Sequence, residues 1–179
     1  IRDSAAELGF AFDRHAVRNQ IQALCFELDR CSRVRLLASR GGAIALEASD
    51  LPAPLHEPAV CIALPLPVDP GDWRLRHKTS DRGFYADALA VAQGENAAEA
   101  LLVRADGLVT EGSFTNVFVE RGGELLTPPA ALGLLPGVLR RSLIERGSAR
   151  EAELTLADLA GGFFIGNALR GLVPARLLL

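Results

Sequence analysis

The chain has 179 residues, enough for one ordinary domain or two small lobes around a real core. Hydrophobic residues make up 49% and charged residues 23%, which excludes a disordered chain. The formal net charge of −3 argues against a broad polyanion-binding face and so against nucleic acid, while a small anionic substrate in a local basic pocket stays open.

Cys25, Cys31 and Cys61 form no close metal-ligand pair, so neither a zinc site nor a disulfide scaffold is expected, and a reducing cytoplasm suits them. No apolar run reaches the roughly 18 residues of a membrane span, and the opening residues do not read as a signal peptide. The sequence holds no Met and opens in what reads as a helix, so it is expected to be part of a longer chain.

In chain order, residues 2–8 read as the end of a helix closed by Gly9. Asp13 then caps a second helix with Val17, Ile21, Leu24, Cys25 and Leu28 at helical spacing. Over residues 34–48 the period falls to two around Gly41-Gly42, which predicts a hairpin. The proline-rich stretch 51–58 is the expected boundary, with a partial N-terminal lobe before it and a second lobe over 59–179. A strand is expected within 59–68, then the basic stretch RLRHKTSDR at 74–82. Lys78 reads as lying at the entry of a helix carrying Tyr85, Ala88, Leu89 and Ala92 and ended by Gly94. Two hairpins follow, turning at 105–107 and at 121–123. Pro136-Gly137 introduce a helix to about Arg146, Thr155 and Asp158 mark a capping box, and residues 161–179 read as strand, turn, strand. This order does not alternate as βαβ units do, so an α+β fold with a mixed or barrel-like sheet is expected. No glycine-rich nucleotide fingerprint is present.

Four places carry chemistry. Lys78 stands among Arg76, His77 and Arg82, and crowding by cations lowers a lysine pKa and frees its amine, although a wet loop or an anion clamp fits the same residues. Glu111 ends a strand before the small polar run GSFTN and reads either as a turn residue or as a buried partner for a ring nitrogen. LLPGVLR at 134–140 exposes helix-start amides that suit phosphate, or is an ordinary helix entry. GNALRG at 166–171 is a glycine-bounded turn whose amides and Asn167 form either a second anion edge or a plain turn.

Taken together, Lys78-xxx-Arg82, DGLVTEGSFTNVFV (106–119), LLTPP (125–129), GLLPGVLR (133–140) and FFIGNALRGLVP (163–174) resemble the fold-type IV pyridoxal-phosphate enzymes, the class IV aminotransferases. The resemblance implies a two-lobed α+β fold whose small N-terminal lobe is incomplete here, and a homodimer. It implies that Lys78 carries pyridoxal 5'-phosphate covalently and that Glu111 pairs with the pyridine nitrogen. The phosphate would be held by the amides of Val138 and Leu139 and by the turn at Asn167 and Ala168. Ser113, Thr115 and Asn116 match the segment that passes near the cofactor. Arg170 and, more weakly, Arg76 and His77 are candidate contacts to a substrate carboxylate, with surface solvation as the plainer reading of each. No metal is expected.

Within the family, branched-chain aminotransferases place a tyrosine five positions after the lysine. Here that position is Gly83, and Tyr85, two places later, is expected to face elsewhere on the helix. Lys-xxx-Arg and NALRGLVPA look more like aminodeoxychorismate lyase, which eliminates pyruvate to leave 4-aminobenzoate for folate synthesis. D-amino acid or branched-chain aminotransferase and a cofactor-free homologue or binding module remain the alternatives.

Overall fold

A computed structural model describes residues 1–178. The chain divides between Pro54 and Leu55, inside the proline-rich connector, into two compact units.

The first unit, Ile1–Pro54, holds α1 (Arg2–Glu7), α2 (Arg14–Glu27) and an antiparallel hairpin, β1 (Ser32–Ala38) with β2 (Ile44–Asp50). Asp13 starts α2 by accepting hydrogen bonds from the amides of His15 and Ala16. The apolar stripe of α2 is less covered than its spacing predicts. Val17 is buried, but Ile21 and Cys25 are exposed.

The second unit, Leu55–Leu179, is built on one mixed sheet. Its elements are β3 (Ala59–Pro65), α3 (Gly83–Gly94), β4 (Glu99–Val103), β5 (Val109–Gly112), β6 (Asn116–Arg121), β7 (Glu124–Thr127), α4 (Val138–Glu145), β8 (Ala149–Glu151), α5 (Leu156–Leu159), β9 (Phe163–Asn167) and β10 (Gly171–Leu177). Single turns of 3-10 helix stand at Trp73–Leu75 and Ala130–Leu132. The sheet order is β5-β4-β3-β10-β9-β6-β7-β8, with β3 parallel to both β4 and β10 and β7 parallel to β8. The fold is therefore α+β, as the element order predicts. The three-residue β8 is too short to show alternation and has no sequence signal. Among the described residues no helix is long and apolar enough to cross a membrane.

Chain length forces this sheet to curl. β5 and β6 stand five places apart in the order, about 24 Å on a flat sheet at roughly 4.8 Å per strand. Yet only residues 113–115 join them, and four Cα steps reach about 14 Å at most. The sheet closes part-way on itself, and β5 meets β6 at its lip, where the Gly112 amide bonds the Thr115 carbonyl.

The two faces of β4 follow from period two. Leu101 points inward with Cys61, Val109, Val117 and Ile165, while Ala100 and Leu102 point outward to Tyr85, Ala88 and Ala92 on the buried face of α3. Leu102 pairs with Glu111 but Val103 with Val109, which leaves Thr110 as an extra residue whose hydroxyl donates to the Leu102 carbonyl. This bulge resets the parity of β5. Val109 stays inside, and Glu111 turns to the face that α3 covers.

Gly112 follows with no room for a side chain. A Cβ there would lie 2.5 Å from Thr115 Oγ1 and 2.7 Å from Glu99 Oε2. Those two atoms are hydrogen-bonded to each other at 2.7 Å and cannot part without losing that bond. Gly112→Ala is expected to lower stability by about 1–3 kcal/mol, read as a lower denaturant midpoint at unchanged slope.

Candidate active site

Lys78 is exposed on the loop between the Trp73–Leu75 turn and α3, five residues before the first residue of that helix, rather than at its entry. Thr79–Arg82 cannot join the helix because the chain turns there, with the Arg82 amide bonding the Ser80 carbonyl. Arg76 is exposed, but His77 is only 6% exposed, so the solvated reading fails for His77.

Arg82 reaches across to the acid segment. Its Nη2 donates to the Ser113 carbonyl at 3.1 Å, and its guanidinium lies 4.7 Å from the centre of the Tyr85 ring. Tyr85 does not face elsewhere, as its position suggests it should. Its buried hydroxyl donates to Glu111 Oε1 at 2.5 Å. The reason is the pairing just described: Tyr85 lies on the face of α3 that covers Leu102, and Glu111 is the cross-strand partner of Leu102. The same Oε1 accepts the Leu135 amide at 3.0 Å. Glu111 Oε2 takes no hydrogen bond from any described residue. Burial pushes the Glu111 carboxyl up to about 8, against the opposing pull of the Tyr85 hydroxyl, the Leu135 amide and Arg82.

Behind this acid lies a second one. Glu99, at the inner end of β4, is fully buried and gathers the loop between β5 and β6. Its Oε1 accepts the Ala100 and Ser113 amides, each at 2.9 Å, and the Ser113 hydroxyl. Its Oε2 accepts the Thr115 hydroxyl at 2.7 Å and the Phe114 amide at 3.3 Å. Burial pushes this carboxyl up as well, opposed by those donors. The hydroxyls of Ser113 and Thr115 thus turn to Glu99, and these residues serve the site by fixing the shape of the loop.

The two amide-bearing edges meet beside this loop. The first backbone bond into α4 runs from the Arg141 amide to the Gly137 carbonyl, so the amides of Val138 and Leu139 precede the helical ladder, and no side chain caps them. Val138 is 73% exposed. Asn116 Nδ2 donates to the Leu135 carbonyl at 3.0 Å, and a Cβ on Gly137 would collide with Asn116 Oδ1. A Cβ on Gly166, in β9, would meet Leu139 Cδ2 at 2.9 Å, which places the end of β9 against the start of α4. In the turn beyond, Asn167 Oδ1 accepts the Leu169 and Arg170 amides, each at 3.0 Å, and Asn167 Nδ2 donates to the Phe114 carbonyl at 3.1 Å. The Asn167 side chain is therefore committed to holding the turn, and backbone amides such as that of the exposed Ala168 are what this edge offers an anion. The Arg170 guanidinium lies 5.9 Å from the Phe114 ring centre.

These features fit pyridoxal phosphate by their donor set: uncapped amides for a phosphate, a buried carboxylate with one oxygen open for a ring N–H, and an exposed lysine amine on a neighbouring loop. Tyr85 and Glu99 were not legible as part of the site. Tyr85 had a signal in its shared face with Ala88, and Glu99 in being an acid at an inward position of an otherwise apolar strand, EALLV.

Known proteins share this fold. The family model described as amino-transferase class IV matches residues 1–178. A protein from Mesorhizobium loti, provisionally assigned as an amino-acid aminotransferase, superposes with a TM-score of 0.90 at 37% identity, covering 99% of this chain and 87% of that one. The PLP-bound form of a hypothetical aminotransferase from Mycobacterium tuberculosis has a TM-score of 0.76 at 26% identity, covering 92% of this chain and 66% of that one. A curated relative from Schizosaccharomyces pombe, provisionally assigned as an aminodeoxychorismate lyase, is 38% identical over 77 residues, which is 42% of this chain and 33% of the relative. The match thus spans about a third of that relative's length. With its fold and a match along nearly its whole length in accord, the chain belongs to the class IV aminotransferase family of fold-type IV pyridoxal-phosphate enzymes.

Proposed function

We propose that the chain carries the cofactor-binding part of a pyridoxal-phosphate-dependent 4-amino-4-deoxychorismate lyase. The observation that carries this reading is at the start of α3. The position five residues after Lys78 is Gly83, which offers no hydroxyl, and the tyrosine two places later is held on Glu111. The branched-chain arrangement, with a tyrosine on the cofactor's ring hydroxyl, is not supported by these residues. The identity to the Schizosaccharomyces relative points the same way.

Pyridoxal phosphate, when bound, supplies an electron sink for the carbanion formed at the amine-bearing carbon. The chain supplies the rest. Lys78 would hold the cofactor and, once free as an amine, would take the proton from that carbon. The amides of Val138 and Leu139 and the Asn167–Ala168 turn would hold the phosphate. Glu111 Oε2 would accept the ring N–H, which would keep the ring cationic. The bond from the neighbouring carbon to the pyruvyl oxygen would then break, the oxygen leaving with the electron pair and taking the proton held by Lys78, so that pyruvate departs as its enol and the ring left behind is aromatic, which draws the elimination forward.

Aminotransferase is the second reading, favoured by the 37% identity with the Mesorhizobium protein over 99% of this chain. Two parallel assays separate the readings: aminodeoxychorismate with pyruvate followed, and D-alanine or leucine with 2-oxoglutarate. Pyruvate release is expected. Amino transfer without it rejects the lyase, and absence of both a visible cofactor band and a borohydride-fixed mass gain on Lys78 rejects both enzymes.

A further inference from the structure

We propose that Tyr85 is the positioning residue for Glu111: from the buried face of α3 it fixes one carboxylate oxygen, so that the other is presented to a protonated ring nitrogen. The proposal rests on the cofactor reading above and deepens it.

Three observations carry it. Both hydrogen bonds that Glu111 receives, from the Tyr85 hydroxyl and the Leu135 amide, fall on Oε1. One oxygen held from two directions fixes the plane of the carboxylate, and Oε2 is left as its acceptor. Second, Tyr85 is itself held. Its ring is 3% exposed, packed among Leu75, Ala88 and Leu102, with the Arg82 guanidinium over its face. Arg82 is tied in turn to the Ser113 carbonyl, two residues past Glu111 in the chain. The hydroxyl therefore has one direction to point. Third, the placement is not an accident of packing alone. The Thr110 bulge turns Glu111 out of the sheet interior and onto the α3 face. Were Thr110 paired in regular register, Glu111, two residues from Val109, would share its inward face.

The chemistry follows from proton sharing. A carboxylate that accepts a tyrosine hydroxyl is a weaker base than one that does not. Between Glu111 and a ring nitrogen, the weaker base leaves the proton on the nitrogen, where it draws electrons. If the hydroxyl is removed, the proton shifts toward the carboxylate and the ring loses cationic character. The groups facing Glu111 and Tyr85 are Arg82 from the α3 entry, Glu99 from β4 and Asp72 from the loop before the 3-10 turn. All three stay in place in a Tyr85→Phe variant.

The test compares wild type with Tyr85→Phe, first without cofactor. The raised carboxyl of Glu111 binds its proton more tightly folded than unfolded, from an ordinary value of 4.5 to about 8. Its contribution to stability is thus complete below 4.5 and lost as pH rises through about 8. Removing the hydroxyl raises that carboxyl further, so the loss continues to higher pH. The melting-temperature gap between the two proteins is expected to widen above pH 8 and to stop widening in a Glu111→Gln background. With pyridoxal phosphate bound, the pH midpoint of the visible cofactor band is expected to move. kcat is expected to fall roughly 10- to 100-fold with KM changed less than about threefold.

A gap that is constant with pH makes Tyr85 a packing residue and overturns the proposal, whatever the enzyme does. A widening gap with normal cofactor binding but unchanged band and kcat also overturns it. A widening gap in a protein that takes up no pyridoxal phosphate supports the hold of Tyr85 on Glu111 and overturns the cofactor reading instead, so the two failures are distinguishable.

Discussion

Lys78→Ala is expected to abolish turnover while leaving the cofactor-free protein about as stable as wild type. Lys78 is exposed on a loop between a 3-10 turn and α3, and truncating an exposed side chain there is expected to cost under about 0.5 kcal/mol. The same amine is asked to hold the cofactor and to move the substrate proton. Loss of the proton transfer alone removes about 10²- to 10⁴-fold, and loss of the covalent link adds to that. The expected result is a fall beyond about 10³-fold, measured on lyase and aminotransferase substrates alike, with the melting temperature of the cofactor-free protein unchanged. Turnover that persists removes Lys78 from its assigned role.

The opposite pattern is expected of Glu99→Ala, where stability falls first. Five donors converge on this carboxylate: three backbone amides and two hydroxyls, all on the loop that joins β5 to β6 or on β4 itself. Each buried donor left unsatisfied costs about 1–3 kcal/mol, although the hydroxyls can turn and water can enter. A loss of roughly 4 kcal/mol or more is expected, at the exceptional end for one substitution. Glu99→Gln is expected to cost far less, about 1–2 kcal/mol. Its amide NH₂ can face the Thr115 side, where the hydroxyl reverses to accept and only the Phe114 amide, the longest of the five contacts at 3.3 Å, loses its partner. Equal costs for the two variants, read from denaturant midpoints, would show that Glu99 acts by volume rather than by hydrogen bonding.

The elements with strong local rules were readable in the chain. Asp13 and Thr155 announce their helices, Gly107 and Gly122 their hairpin turns, and Pro136-Gly137 the start of α4. Lys78, Glu111 and the Val138–Leu139 amides stand out as candidates in the sequence because each sits at a boundary that local residues define. Tyr85 and Glu99 do not, because their roles depend on pairing between distant segments. A single bulge residue decides which face Glu111 occupies, and nothing in LVTE marks Thr110 as extra. Glu99 looks like an edge acid before an apolar run until the curl of the sheet carries Ser113 and Thr115 back over it. The loop position of Lys78 follows from the same kind of cause, since the turn at Ser80–Arg82 delays the helix that the charge pattern appeared to start.

The link between β5 and β6 has a consequence for how this chain can change in length. The hairpin turns at 105–107 and 121–123 each join strands that are already neighbours, so they can grow outward at little cost. Residues 113–115 join strands that stand far apart in the sheet order, and the span of that link sets how tightly the sheet closes. An added residue there would relax the girth of the sheet, draw Ser113 and Thr115 off Glu99, and move Glu111 relative to Asn116 in one step. Insertions are expected to be tolerated at the hairpin tips and not at the link, so that three residues of chain measure out the aperture of the site.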